Sequence, residues 1–146
     1  MDAVQTSDDI LISNNIIDSN GFAIYINSFP SDPSRNIIIT NNRFKSVWEK
    51  VKGDMNAISK INDNIGFITE NSGVAVIEAG STSVDVNHGL NLTPTDGDIV
   101  IVPINSMGNA TKFYIGAYNS NKFTITVNQI PGPETAIFAW KAKIEK

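Results

Sequence analysis

The chain has 146 residues, with 11 basic and 15 acidic side chains and a formal net charge of -4. The basic residues are scattered, which argues against a nucleic-acid partner, because phosphate binding is driven by clustered Lys and Arg. Without cysteine there is no disulfide scaffold and no Cys-based metal site. No apolar run approaches the ~20 residues that span a bilayer. The start, Met1-Asp2-Ala3-Val4-Gln5, lacks the basic and apolar segments of a signal peptide. The expectation is a protein made in the cytoplasm, without membrane insertion.

The sequence holds 18 Asn and 22 Ile. Branched apolar residues favour strands. Asn tolerates left-handed corners and can stack in ladders between successive strands. Ile10-Leu11-Ile12-Ser13-Asn14-Asn15-Ile16-Ile17-Asp18-Ser19 reads against Ile37-Ile38-Ile39-Thr40-Asn41-Asn42-Arg43-Phe44-Lys45-Ser46, an offset of 27 residues. A strand-forming repeat of that length suggests one coil of a β-solenoid per repeat. Two or three coils leave both ends open, so the chain is expected to be the end of something longer.

The first coil is placed over 9–33, with strands at 10–12, 16–17 and 22–26. Asn14-Asn15 and Ser19-Asn20-Gly21 form its corners, and Ser28-Phe29-Pro30-Ser31-Asp32-Pro33 is a loop, since each Pro removes a donor and fixes its φ. The second coil opens at Asn36-Ile37. Val47-Trp48-Glu49-Lys50-Val51 fits either a strand or a short helical turn. A degenerate third coil is placed at 58–64.

After Gly66-Phe67-Ile68-Thr69-Glu70-Asn71-Ser72-Gly73 the Asn pairs stop and alternation begins. Strands are expected at 74–78, 83–88, 98–105, 112–118, 122–128 and 136–144, with a hairpin turn at Tyr118-Asn119-Ser120-Asn121-Lys122. Such spacing indicates an antiparallel sandwich or barrel. One face would hold Val84 and Val86, Ile99 and Ile101, Phe113 and Ile115, Phe123, Ile125 and Val127, then Phe138, Trp140, Ala142 and Ile144. Each such side chain contributes roughly 1.5–3 kcal/mol on full burial, before entropy.

Catalytic and metal chemistry find little support. Asp8-Asp9, Glu49 with Asp54, and Asp96-Gly97-Asp98 are carboxylate pairs whose spacing enforces no glycosidase geometry. They read as solvated loops or turns. His88 is the single histidine, and without a nucleophile motif it reads as a hydrogen-bonding residue at the strand end Asn87-His88-Gly89. No nucleotide-binding motif is present, and no cofactor or metal is expected. If Phe113 and Ile115 face the core, Tyr114 and Tyr118 share the outer face, where they could pack against another subunit or stack on a sugar. Trp48 is a similar candidate on the coil segment. Aromatic anchors are common at interfaces, so a subunit contact is favoured over a sugar site.

Residues 66–73 resemble the linker that ends the β-helix in phage tailspikes and tail fibres of the pectate-lyase-like type. Ala79-Gly80-Ser81-Thr82-Ser83-Val84, His88-Gly89-Leu90, Thr93-Pro94-Thr95, Gly108-Asn109-Ala110-Thr111-Lys112-Phe113 and Phe138-Ala139-Trp140-Lys141-Ala142 are similar to their terminal β-sandwich. The resemblance implies an all-β chain. The last coils of a right-handed parallel β-helix (1–65) would be followed by a linker (66–73) and a jelly-roll-like trimerisation and capping sandwich (74–146). It implies a homotrimer, joined to the rest of a tailspike chain, on the virion and facing host surface polysaccharide. In some such proteins the domain acts as an intramolecular chaperone and is cleaved off. Catalytic acids of such proteins lie in upstream coils or between subunits, so none is assigned here, and the domain is expected not to be an enzyme. Two other readings stay open. One is a carbohydrate-binding module using Tyr114, Tyr118 or Trp48. The other is an enzyme, either a glycan-cleaving remnant or a domain self-cleaving near Asp2 or Ser7-Asp8-Asp9.

Overall fold

The computed structural model describes residues 8–27, 35–45 and 49–145. The protein is all-β: among the described residues, thirteen strands are joined by loops and two single 3-10 turns. It divides into two compact units, one ending at Phe67, to which Glu145 also belongs, and one spanning Ile68–Ile144.

In the first unit the chain returns parallel to itself. Strands β1 (Leu11–Ser13), β4 (Ile37–Thr40) and β7 (Ile58–Asn62) form one sheet, β2 (Ile16–Asp18) pairs with β5 (Arg43–Lys45), and β3 (Phe22–Ile26) pairs with β6 (Glu49–Gly53). The register matches the sequence repeat, with Leu11 opposite Ile38, Ile12 opposite Ile39 and Ile17 opposite Phe44. The next return is shorter, with Ile39 opposite Ile61. The connection from β6 to β7 is only a 3-10 turn, Met55–Ala57, and a register shift between Ile37 and Ile38 absorbs one extra residue, Ser59. The segment that fitted either strand or helical turn is a strand from Glu49 onward. The expected 28–33 loop lies outside the described residues.

The corner after each strand of the first sheet has a fixed construction. Asn14, Asn41 and Asp63 adopt φ of 58°, 55° and 55°, a left-handed conformation that Asn and Asp accept at low cost. Each is followed by an Asn that bonds to a neighbouring return of the chain. The Asn15 backbone N–H and Nδ2 donate to Asn42 Oδ1 at 3.0 and 3.1 Å. The Asn42 N–H and Nδ2 donate to Asn64 Oδ1 at the same two distances. Asn42 Nδ2 also reaches the Ile12 carbonyl at 2.9 Å, and Asn64 Nδ2 reaches that of Ile39 at 2.9 Å. Asn42 and Asn64 are therefore buried polar groups with partners, as burial requires. A second column starts at left-handed Asp9 and Asn36: Asn36 Nδ2 donates to Asp9 Oδ1, and Ser59 Oγ donates to Asn36 Oδ1. Beside these columns Ile24, Ile26, Ile37, Ile39, Val51, Ile58 and Ile61 fill the interior, with the Phe44 and Phe67 rings 6.2 Å apart.

The second unit is antiparallel throughout. Strands β8 (Glu70–Ile77), β10 (Ile99–Pro103) and β13 (Ala136–Lys143) form one sheet with β13 central. Strands β9 (Ser83–Asn87), β11 (Phe113–Tyr118) and β12 (Lys122–Val127) form the other, with β12 central. The inward residues of both make one core. Phe123 of one sheet meets Trp140 of the other edge-on at 5.5 Å, and Phe113 meets Phe138 at 5.5 Å. The expected hairpin is present: Asn119 Oδ1 accepts from the N–H groups of Asn121 and Lys122.

The segment read as a linker, 66–73, is structural at both ends. Phe67 is buried in the first unit, while Glu70 to Gly73 pair with Lys143 to Trp140. Its turn-type residues do tertiary work. A Cβ on Gly73 would sit 3.0 Å from the Trp140 indole, and Asn71 Nδ2 donates to the His88 carbonyl at 2.8 Å.

The middle rung of the ladder should matter more than its exposed end. Asn42→Ala strands several buried donors and acceptors, at about 1–3 kcal/mol each, and is expected to cost about 3 kcal/mol or more. Asn15→Ala is expected to cost about 1 kcal/mol. Urea unfolding of the two variants against the parent checks this, and equal losses would contradict the ladder's role.

Candidate functional site

The two tyrosines expected on one outer face are separated. Tyr114 lies opposite Thr126, but Tyr118 lies opposite Phe123, with a register shift between Ile115 and Tyr118. Thr126 and Phe123 are an odd number of residues apart, so they point to opposite sides of β12. Tyr114 is therefore on the solvent face, 54 % exposed, and Tyr118 is on the other side at the strand's end. There its hydroxyl bonds Asp96, whose hydrogen bond first and charge second raise the phenol pKa. Gly116 and Ala117, too small to resist an extra residue, lie within the shift. Trp48 lies outside the described residues.

The carboxylates weighed as catalytic pairs are held by local partners. Asp98 Oδ2 accepts from the Thr95 N–H and Oγ1 at 2.7 and 2.8 Å, capping the turn Asp96–Asp98. Asp54 accepts from the Asn56 N–H, Glu49 pairs with Lys52, and Asp9 accepts from Asn36. His88 is fully buried. Its Nδ1 accepts from the Leu90 N–H at 3.0 Å, and Nε2 lies 3.0 Å from the Asn119 carbonyl, to which it donates in that tautomer. Both ring nitrogens are thus occupied in fixing the loop after β9. Among the described residues no group of three or more His, Asp or Glu could hold a metal ion. No helix among them is long and apolar enough to cross a membrane.

The solvent faces of the second unit's sheets differ in chemistry. That of β9, β11 and β12 is polar: Tyr114 stands beside Thr126, Thr124 Oγ1 donates to Asp85 at 2.7 Å, and Lys122 pairs with Asp85. That of β8, β10 and β13 is apolar over two rows and polar beyond them, where Lys141 lies opposite Ser72 and Lys143 opposite Glu70. One row across it is Val102, Ala139 and Val74, and the next is Ile137 and Val76 with Ile104, whose N–H donates to the Ile137 carbonyl. Val74, Val100, Val102 and Ile104 are each more than half exposed. Sequence reasoning followed only the inward set of these strands. The signal for the outer set was available in Ile99-Val100-Ile101-Val102, an unbroken apolar run where a strand with one wet face should alternate.

No protein-family model matches the chain, and no curated protein matches it in sequence.

Surface ion pairs give the second unit a defined acid response. The Lys122 hydrogen bond first, then that of Thr124, holds Asp85 below its ordinary 3.8; the Lys141 hydrogen bond does the same for Glu70 from 4.5. A lowered carboxylate contributes stability that is complete above its ordinary value and is lost as pH falls through its folded value. The thermal midpoint should therefore fall as the pH is lowered below the ordinary carboxylate range, and the Asp85→Asn, Glu70→Gln double variant should show a smaller fall. An unchanged pH profile in that variant would assign the acid response to other groups.

Proposed function

We propose that the chain is the structural C-terminal domain of a phage tailspike or tail fibre. In this reading the first unit is the last coils of a right-handed parallel β-helix. The second is a jelly-roll-like β-sandwich that caps them, sets their register and drives homotrimer formation on the virion. It acts for the rest of the tailspike chain, in the manner of an intramolecular chaperone, with or without release by cleavage.

The observation that carries the reading is the in-register parallel return of the chain, tied by the Asn15, Asn42 and Asn64 amides and followed directly by a unit with its own core. Stacked parallel coils leave strand edges at each end, and edges invite uncontrolled pairing. Solenoids meet this with a terminal capping element. An independently cored antiparallel unit that follows the last coil in the chain is suited to that task. The binding or cutting of polysaccharide then belongs to coils upstream.

The reading predicts a particle of three times the 15.8 kDa chain in light scattering at micromolar concentration. A single-chain mass would remove it. One observation favours the second reading, a carbohydrate-binding module: Tyr114 stands exposed among the hydroxyls of Thr124 and Thr126. In that case a monomer should bind bacterial surface glycans and lose binding in Tyr114→Ala.

A further inference from the structure

We propose that Asn20 is a site of spontaneous covalent modification in the folded protein, where its carboxamide is lost through a succinimide formed on the Gly21 nitrogen. The corner Ser19-Asn20-Gly21 joins β2 to β3 and has no part in the asparagine ladder.

The step needs only water and solvent base. Base takes the proton of the Gly21 backbone N–H, and the freed electron pair attacks Cγ of Asn20. A bond forms between that nitrogen and Cγ, the Cγ–Nδ2 bond breaks, and the proton returns to the leaving ammonia. Water then opens the five-membered ring. Opening at Cγ gives Asp. Opening at the backbone carbonyl gives isoaspartate, in which the chain runs on through Cβ and Cγ.

Three features select this residue. First, a side chain on the following residue shields the attacking nitrogen and restricts its backbone, and glycine does neither. Asn20 is the only one of the 18 Asn followed by Gly. Second, Asn20 is exposed at a bend, and its amide has no hydrogen-bond partner among the described residues. The amides of Asn15, Asn42 and Asn64 are held in the ladder, and that of Asn36 is held by Asp9. Third, the attacking nitrogen lies before β3 begins. Its N–H donates to Ser19 Oγ at 3.2 Å, at the long limit of such bonds. Apart from its chain neighbours, no described residue stands within 4 Å of the place a Gly21 Cβ would take.

Asp96-Gly97 is the comparable dipeptide in the second unit and lacks these features. Asp96 opens a 3-10 turn, and the Tyr118 hydroxyl bonds its carboxylate. A carboxylate is also the poorer electrophile. At Asn20 the change adds one negative charge to a net charge of -4. The isoaspartyl product lengthens the backbone immediately before Phe22, where β3 pairs with β6. The ladder corners at Asn14-Asn15 and Asn41-Asn42 are left as they are.

The test is incubation of the native chain in mildly alkaline buffer, followed by trypsin and fragmentation mass spectrometry. The first basic residue is Arg35, so Asn14, Asn15 and Asn20 share one peptide and serve as mutual controls. The expected result is amide-to-acid conversion, partly as isoaspartate, at Asn20. It should run roughly ten-fold or more faster there than at Asn14 or Asn15, a barrier difference of about 1.4 kcal/mol. Asn20→Gln should abolish the fast conversion, and Asp96 should yield no isoaspartate over the same period. An Asn20 that stays intact in the native chain would overturn the proposal, whether or not it reacts in a urea-unfolded control. Equal rates at Asn14 or Asn15, or isoaspartate at Asp96 at the Asn20 rate, would overturn the selection by these three features.

Discussion

The first unit depends on one local device: a left-handed residue followed by an asparagine whose amide points along the stacking direction. A chain that turns sharply must leave backbone groups without strand partners, and burying them unpaired costs about 1–3 kcal/mol each. The amides of Asn42 and Asn64 solve this at the corner, because a carboxamide both donates and accepts. Each takes an N–H from the return before it and donates to a carbonyl there, so the corner becomes a polar column inside an apolar filling. The same column fixes register. A slip of one residue would place Asn41 or Arg43 where the Asn42 amide belongs, and would turn Ile39 outward.

The second unit reaches order by a different route. Its strands are antiparallel, and its core is closed by aromatic contacts between the two sheets. Nothing in it repeats. Polar side chains that look available for chemistry are committed to holding loops: Asp98 to a turn, Asn71 and His88 to the segment after β9, Asn119 to a hairpin. Its unusual surfaces are the outer faces of its sheets, one hydroxyl-rich with Tyr114 and one aliphatic.

Much of this was legible in the sequence, for reasons that can be named. The corners were readable because few residues accept a left-handed backbone, so Asn14-Asn15 and Asn41-Asn42 had to mean the same thing. The strands of the second unit were readable because alternation against a core repeats every two residues. The tyrosine pair was misread because a register shift moves parity by one, and only the small residues Gly116 and Ala117 hinted at it. Residues 66–73 were read as a linker because the Asn pairs stop there and the segment resembles one that ends a β-helix. In the fold, Gly73 is small for the sake of Trp140 and Asn71 reaches His88. The aliphatic rows of the outer face are written in the run from Ile99 to Val102, where alternation fails.

We propose that assembly adds to the stability of the folded chain. Equilibrium unfolding followed over about a hundred-fold range of protein concentration tests it most directly, because association shifts apparent stability by mass action. An assembled protein gives a midpoint that rises with chain concentration. A midpoint independent of concentration, in a reversible transition, would contradict it.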